Sequence, residues 1–379
     1  MNQRSRNPEK FILLLAAPFR ACPRRMTVLF ASVFVIVLQR ALRSDHALMQ
    51  AASESVIRPV HRFLANLTDH VPFSIAEILI LTAGLGLVWL TFSTLLRLVR
   101  QKGRAAVLGR YLLTVASAGL AVYAGFCLLW GVFYYGDDFM ERSGFETREI
   151  SVEELEQVTV YFAGLANGYS SQVPRDGNGI CVTDRSAVLE KSRTVFAAAE
   201  QACPELRGPA VCAKPFYFSR LLSLTDFTGF FFPFTAEANV NTDSPASEFA
   251  ATVAHELAHQ RGVAKEQEAN FCAVYASLLD GDPDYCYSAC LLAYTHLGNA
   301  LYSADRAAWE MVWDGLNEDV KRDLAFTRAY WQRFDTPVQT VSNAVYENFL
   351  YSYDQMLGLK SYGACVDLLV CHYLEQAAG

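Results

Sequence analysis

The sequence predicts a membrane protein, with three N-terminal transmembrane helices followed by a mainly helical α+β domain outside the cytoplasm. Three observations predict it. The long apolar runs are confined to the first third of the 379 residues. The charge balance reverses near Tyr134, and the rest reads as capped amphipathic helices around one short aromatic, β-prone stretch. With 52% hydrophobic residues and a mean hydropathy of +0.16, the chain is too apolar for an ordinary soluble enzyme. It is too polar to be embedded in a membrane throughout.

The spans fall at about 26–42, 75–96 and 111–133, each near the roughly 20 residues that cross a bilayer. Gln39 and Arg40 shorten the apolar run of the first, whose basic end can snorkel to the interface. Phe11–Ala17 is short and meets Pro18-Phe19-Arg20 without a small-residue cleavage pattern, which argues against a cleaved signal peptide. Orientation follows from the basic residues. Arg4, Arg6, Lys10, Arg20, Arg24 and Arg25 precede the first span, and Arg97, Arg100, Lys102, Arg104 and Arg110 follow the second. In the 43–74 loop, Arg43, Arg58 and Arg62 are offset by Asp45, Glu54 and Asp69. The positive-inside rule then places the N-terminus in the cytoplasm and everything after Phe133 outside it, with Glu77 at the outer interface.

The chain thus divides into a membrane region, 1–133, and an outer domain, 134–379, long enough to bury its own core. The first holds 15 Lys+Arg against 5 Asp+Glu, and the second 17 against 34. So acidic an outer domain argues against a nucleic-acid partner. The basic part suits inner-leaflet lipid, and the bilayer is the expected partner. Eight of the ten cysteines lie in the outer domain, where Cys203–Cys212 is the easiest local disulfide. Most are expected as buried thiols, and none has zinc-finger spacing.

Within the outer domain, Ser151-Val152-Glu153-Glu154 is a capping box opening a helix to about Tyr169, and Arg185–Ala202 reads as another. Residues 229–235 are aromatic and β-prone; Glu237, Asn239 and Asn241 alternate and would share one strand face. Ser244 then reads as an N-cap, Pro245 as the first helical residue, and Gly262 as the residue past the helix end. Phe249, Val253, Leu257 and Ala258 give that helix its buried stripe. A second helix starts near Ala264 or Lys265 and runs to the break at 280–283. Tyr285–Tyr302 is long and apolar, but Thr295, His296 and Asn299 make it a core helix rather than a fourth span. Two helices within Asp305–Phe334, then Val338–Leu357 and Tyr362–Gln376, complete a helical tail.

The chemistry concentrates at His255-Glu256-Leu257-Ala258-His259. On a helix this HExxH run puts two imidazoles one turn apart on one face, where both reach a single Zn²⁺. Glu256 beside them is placed to act on a metal-activated water. Glu266, in the first turn of the next helix, is the expected third ligand; Glu268, on another side of that helix, ranks second. Asn270 lies at i+4 from Glu266 and can hold a ligand from behind. Three protein ligands leave a fourth tetrahedral position open, as in a catalytic rather than a structural zinc site. His296, Tyr362 and Arg328 are candidate oxyanion donors, and no spacing rule selects among them.

An HExxH followed by a helix carrying Glu266, Ala269 and Asn270 resembles the gluzincin zinc peptidases, whose second motif supplies the third ligand through its first glutamate. Val71 through Glu77, Trp130-Gly131, Gly229 through Asn241 and His255 through Phe271 resemble a bacterial membrane family known as domain of unknown function 3810. The resemblance implies a zincin-like fold, a bacterial cell-membrane location and a zinc-peptidase-like site, without a defined substrate. Zinc peptidases place an edge strand above the metal, so Glu237, Asn239 and Asn241 are expected to line the cleft. The expected activity is that of a membrane-anchored metallopeptidase cleaving a peptide or protein, with Glu256 as general base. The alternative is a non-catalytic membrane sensor or scaffold whose zinc site is structural or vestigial. Glu248, Arg261, Lys265 and Glu266 flank the motif too closely for a span, which argues against an intramembrane protease.

Overall fold

The computed structural model describes residues 22–353 and 362–378; Arg4, Arg6, Lys10, Arg20 and the Phe11–Ala17 run lie outside them. The described residues are mostly helical, with one small sheet. Helices α1 (Pro23–Leu42), α4 (Ile75–Arg100) and α5 (Arg104–Leu129) are long and apolar enough to cross a membrane. Their outward faces are apolar: Phe34 on α1 and Leu85, Trp89 and Phe92 on α4 are exposed, as lipid-facing side chains are. The third span sits earlier than its hydropathy placed it. Gly103 turns the chain with φ 93° directly into α5, and Gly131–Tyr134 is a separate 3-10 turn rather than the end of the span.

The loop between the first two spans is helical. It forms α2 (His46–Ala52), a π turn (Ser53–Ile57) and α3 (Arg58–Thr68), and it is bonded to the second half of the chain. Arg43 Nη1 donates to Tyr135 Oη (3.0 Å), and Asp137 N donates to Gln50 Oε1 (2.9 Å). Asp69 accepts from Arg193 Nη1 (2.7 Å) and Cys212 N (3.1 Å).

After the short α6 (Phe139–Ser143) comes α7 (Val152–Ser170), which opens with the predicted capping box of Ser151 and Glu154. The 185–202 segment is two short helices, α8 (Arg185–Lys191) and α9 (Ala197–Ala202). The sheet comprises β1 (Lys214–Phe216), β2 (Gly229–Phe232) and β3 (Glu237–Asn241), with α10 (Ser219–Leu224) between the first two. Its order is β1-β3-β2, with β1 parallel and β2 antiparallel to β3, so Asn239 pairs with Lys214 on one side and Phe230 on the other. The central β3 is buried along its whole length.

The remaining helices are α11 (Ala246–Gln260), α12 (Glu266–Asp280), α13 (Pro283–Ala304), α14 (Arg306–Asp314), α15 (Glu318–Gln332), α16 (Pro337–Ser352) and α17 (Tyr362–Ala377). Phe162 of α7, Phe249 and Leu257 of α11, Phe271 of α12 and Tyr285 and Leu297 of α13 are fully buried in one core. Helix α13 is therefore a core helix, as its polar residues predicted. Ser244 does not cap α11: its hydroxyl donates to Asn241 O (2.9 Å), and Pro245 is the N-cap, with no side-chain bond. All ten cysteines are free, Cys203 and Cys212 included.

Candidate metal centre

Helix α11 carries His255 and His259 on one face and ends in a Schellman turn. Gly262 takes φ 78°, its N–H donates to His259 O (2.8 Å), and Val263 N donates to Ala258 O (3.1 Å). The turn reverses the chain within a few residues, so the first residue of α12, Glu266, returns to the imidazoles. Glu266 Oε2 lies 3.1 Å from His255 Nε2 and 3.5 Å from His259 Nε2. Donors at roughly 2.0–2.1 Å from a tetrahedral Zn²⁺ stand about 3.3 Å apart, so the residues present fit that ion. The ligand atoms of these three residues all lie within 4.8 Å of one another.

The far sides of both rings are held. His255 Nδ1 meets Asn270 Oδ1 at 2.8 Å, and His259 Nδ1 meets Val263 O at 2.7 Å. Each Nδ1 faces an acceptor and so carries the proton, which leaves the Nε2 lone pair turned toward the centre. Burial alone would depress the His259 imidazole, but the Glu266 carboxylate outweighs it and lifts its pKa to about 9. Burial likewise opposes ionisation of Glu266, yet the two imidazoles hold it well below the usual carboxylate range. Without a metal, His259 is thus a cation paired with the anionic Glu266, and a bound metal ion would take the place of its proton on Nε2.

The other oxygen of Glu266, Oε1, accepts from the Tyr346 hydroxyl at 2.6 Å. Tyr346 comes from α16, and nothing in its sequence setting marks it. A Tyr346→Phe variant removes the one bond seen to fix that carboxylate oxygen, and zinc affinity is expected to fall by about 10–100-fold. Competition with a zinc-chelating dye checks this; unchanged affinity would show that Tyr346 does not hold the ligand. Glu268, the second choice, is elsewhere. It is buried against α6, where Phe139 N donates to its Oε2 at 3.0 Å, and burial beside Asp138 pushes its carboxyl up to about 7. His46, Asp137 and Glu141 also converge, but they lie at the surface.

Glu256 lines one cavity together with His255, His259 and Glu266. It is buried, and among the described residues its Oε2 has no hydrogen-bond partner. Burial pushes its carboxyl up to about 7, against the pull of His255 and His259. Gly229 of β2 makes room for it: a Cβ there would stand 2.8 Å from both Glu256 Oε1 and Asn239 O.

The cleft-lining expectation for Glu237, Asn239 and Asn241 is overturned. They do alternate on β3, but every residue of that strand is buried, and these side chains are bonded inside the protein. Glu237 accepts from Ile75 N (3.0 Å), Ala76 N (2.7 Å) and Thr235 Oγ1 (2.9 Å). Asn239 accepts from Ser74 Oγ at 2.5 Å, and Asn241 Nδ2 donates to Ser223 Oγ (2.9 Å) and Phe227 O (3.0 Å). Ser74 also caps α4 by accepting from Glu77 N. Glu77 in turn accepts from Tyr217 N (2.9 Å) and Phe218 N (2.8 Å). The strand thus receives the head of the second span, and the edge strand beside the metal centre is β2.

Two cavities share a wall made of Thr228, His255, Glu266 and Tyr346. One, of about 280 Å³, holds Glu256 and is lined by Phe231 of β2, by Phe126 in the last turn of α5 and by Trp130 and Tyr134 just beyond it. The Trp130 ring meets the His259 ring edge-on at 5.8 Å, so the C-terminal end of α5 abuts the site directly. The other, of about 480 Å³, runs along α11 toward its N-terminus. His296 lines it; burial and the neighbouring His255 push its imidazole down to about 4, so it is neutral. Arg328 is exposed and lines neither cavity, and the Tyr362 side chain is outside the description.

Residues 53–370 match a family whose description is "protein of unknown function (DUF3810)". No curated protein and no solved structure matches the chain.

Proposed function

This chain belongs to the DUF3810 family, and for it we propose the function of a membrane-anchored zinc metallopeptidase, its N-terminus cytoplasmic and its site outside the cytoplasm. The observation that carries the proposal is the convergence of His255 Nε2, His259 Nε2 and Glu266 Oε2 in a cavity shared with Glu256, whose Oε2 has no hydrogen-bond partner among the described residues. A zinc ion held by those three groups would act as a Lewis acid, polarising a peptide carbonyl and acidifying a water. Glu256 accepts the proton of the attacking water and hands it to the leaving amine. Asn270 and the Val263 carbonyl keep the imidazoles in the ligating tautomer, and Tyr346 orients Glu266. The edge of β2 lies where an extended substrate backbone can pair.

A non-catalytic scaffold would be favoured by a plugged cleft or a fourth protein ligand. Glu268 is committed to Phe139 N, and cavities open on both sides of the site, which supports the catalytic reading. Metal content is the direct test. The detergent-solubilised full chain is expected to bind one zinc, and His255→Ala to lose it. A parent chain without stoichiometric zinc, or a His255→Ala chain that retains it, would falsify the site.

A further inference from the structure

The larger cavity holds one carboxylate that the proposed chemistry does not use. Glu248 lies in the first turn of α11, and Glu248, Thr252, His255 and His259 follow one another along a single face of that helix. Its side chain lines the cavity together with the apolar Ala251, Leu291, Leu292, Leu324 and Trp331. Trp331 Nε1 donates to both Glu248 oxygens, at 3.0 and 3.2 Å, and fixes the carboxylate from one side. A carboxylate has about four lone-pair sites, so acceptor capacity remains toward the cavity. Among the described residues, no Lys or Arg lines that space.

Arg185 acts on Glu248 through space only: it donates to Ser244 O and stacks over the Phe249 ring at 4.5 Å, and among the described residues no bond joins it to the carboxylate. Burial lifts the Glu248 carboxyl to about 8, against the Trp331 bond and Arg185. Alone it is therefore largely protonated near neutral pH, and a cation arriving beside it would draw it into the charged form. The reach also fits. Seven residues of helix set Glu248 about 10 Å from His255 along the axis. A lysine or arginine stem with its charged head spans roughly 6–7 Å. Added to the few ångströms from a carbonyl at the metal centre to the neighbouring Cα, that spans the distance.

We propose that this cavity is a cation pocket, which takes the aliphatic stem and charged head of a Lys or Arg side chain beside the scissile bond, with Glu248 as its counter-charge. The assignment of the pocket to a substrate residue rests on the peptidase reading; the binding of the cation does not. The two are separated by measuring binding to the metal-stripped, detergent-solubilised full chain. The probes are N-acetyl-lysine methylamide and its uncharged analogue, N-acetyl-norleucine methylamide. One charge-assisted hydrogen bond corresponds to about tenfold or more in affinity.

The parent chain is expected to prefer the lysine compound by at least about tenfold, and Glu248→Gln to abolish the preference. Gln preserves shape and can still accept from Trp331, and Glu248→Asp, which keeps the charge, should retain part of the preference. Equal binding of the two probes, binding of neither, or a preference that survives in Glu248→Gln would overturn the pocket. If the preference is present but no peptide is hydrolysed by the zinc-loaded chain, the pocket stands and the peptidase reading fails. If peptides are cut without regard to Lys or Arg and the probes bind equally, the pocket fails and the peptidase reading stands.

Discussion

A Glu256→Gln chain is expected to bind zinc like the parent and to lose peptide hydrolysis by about 10²–10⁴-fold, the range that general acid–base catalysis supplies. The substitution keeps the shape of a side chain packed between β2 and α11 and removes only the proton acceptor. Glu256 suits the role because burial lifts its carboxyl to about 7, so it can take a proton near neutral pH and give it back. The imidazoles and Glu266 meet on their own sides of the centre, so nothing in the ligand set should shift. The measurement is paired: zinc content of the purified chain, and cleavage of a peptide library whose parent-digested products are identified by mass. Activity equal to the parent's at full zinc content would remove Glu256 from the mechanism.

The largest expected effect on stability lies outside the metal centre. Glu237→Ala leaves the Ile75 and Ala76 amides and the Thr235 hydroxyl without their acceptor, all at a buried junction. Each stranded buried donor costs about 1–3 kcal/mol, so a loss of about 3–5 kcal/mol is expected. Glu237→Gln keeps a carbonyl acceptor and should lose appreciably less. Denaturant or thermal unfolding of the detergent-solubilised chain, with zinc binding as a check on the native state, reads both. An alanine variant as stable as the parent would mean that the bonds at the head of α4 are not holding the two parts together.

These two residues show where sequence reasoning reaches and where it stops. The position of Glu256 next to the two imidazoles was legible because it follows from neighbours on one helix. Glu266 and Asn270 were legible because a single tight turn separates their helix from α11, so register along the chain became register in space. Glu237, Asn239 and Asn241 were read with the right alternation and the wrong destination. Alternation fixes which residues share a face, but whether that face is covered depends on distant segments, here Ser74, Ile75, Ala76, Ser223 and Phe227. Ser244 failed as a cap for a related reason: its hydroxyl had a nearer acceptor in Asn241 O, at the end of that central strand. Tyr346 stands 80 residues from Glu266 and left no local signal. The three long apolar helices were legible from hydropathy, and the end of α5 was displaced because Trp130 and Phe133 after Leu129 are buried, Trp130 against His259 of α11, instead of continuing the helix.

The bonds from Ser74, Ile75 and Ala76 into β3 link residues separated by 161 to 165 positions. During synthesis the head of α4 exists long before Glu237 and Asn239 are made. The last strand to be made, which fills the middle of the sheet, closes against a helix end that is already in place. The anchor is then a template as well as a tether. A fragment beginning at Tyr134 would carry His255, His259 and Glu266 yet be born without the surface on which its central strand is laid.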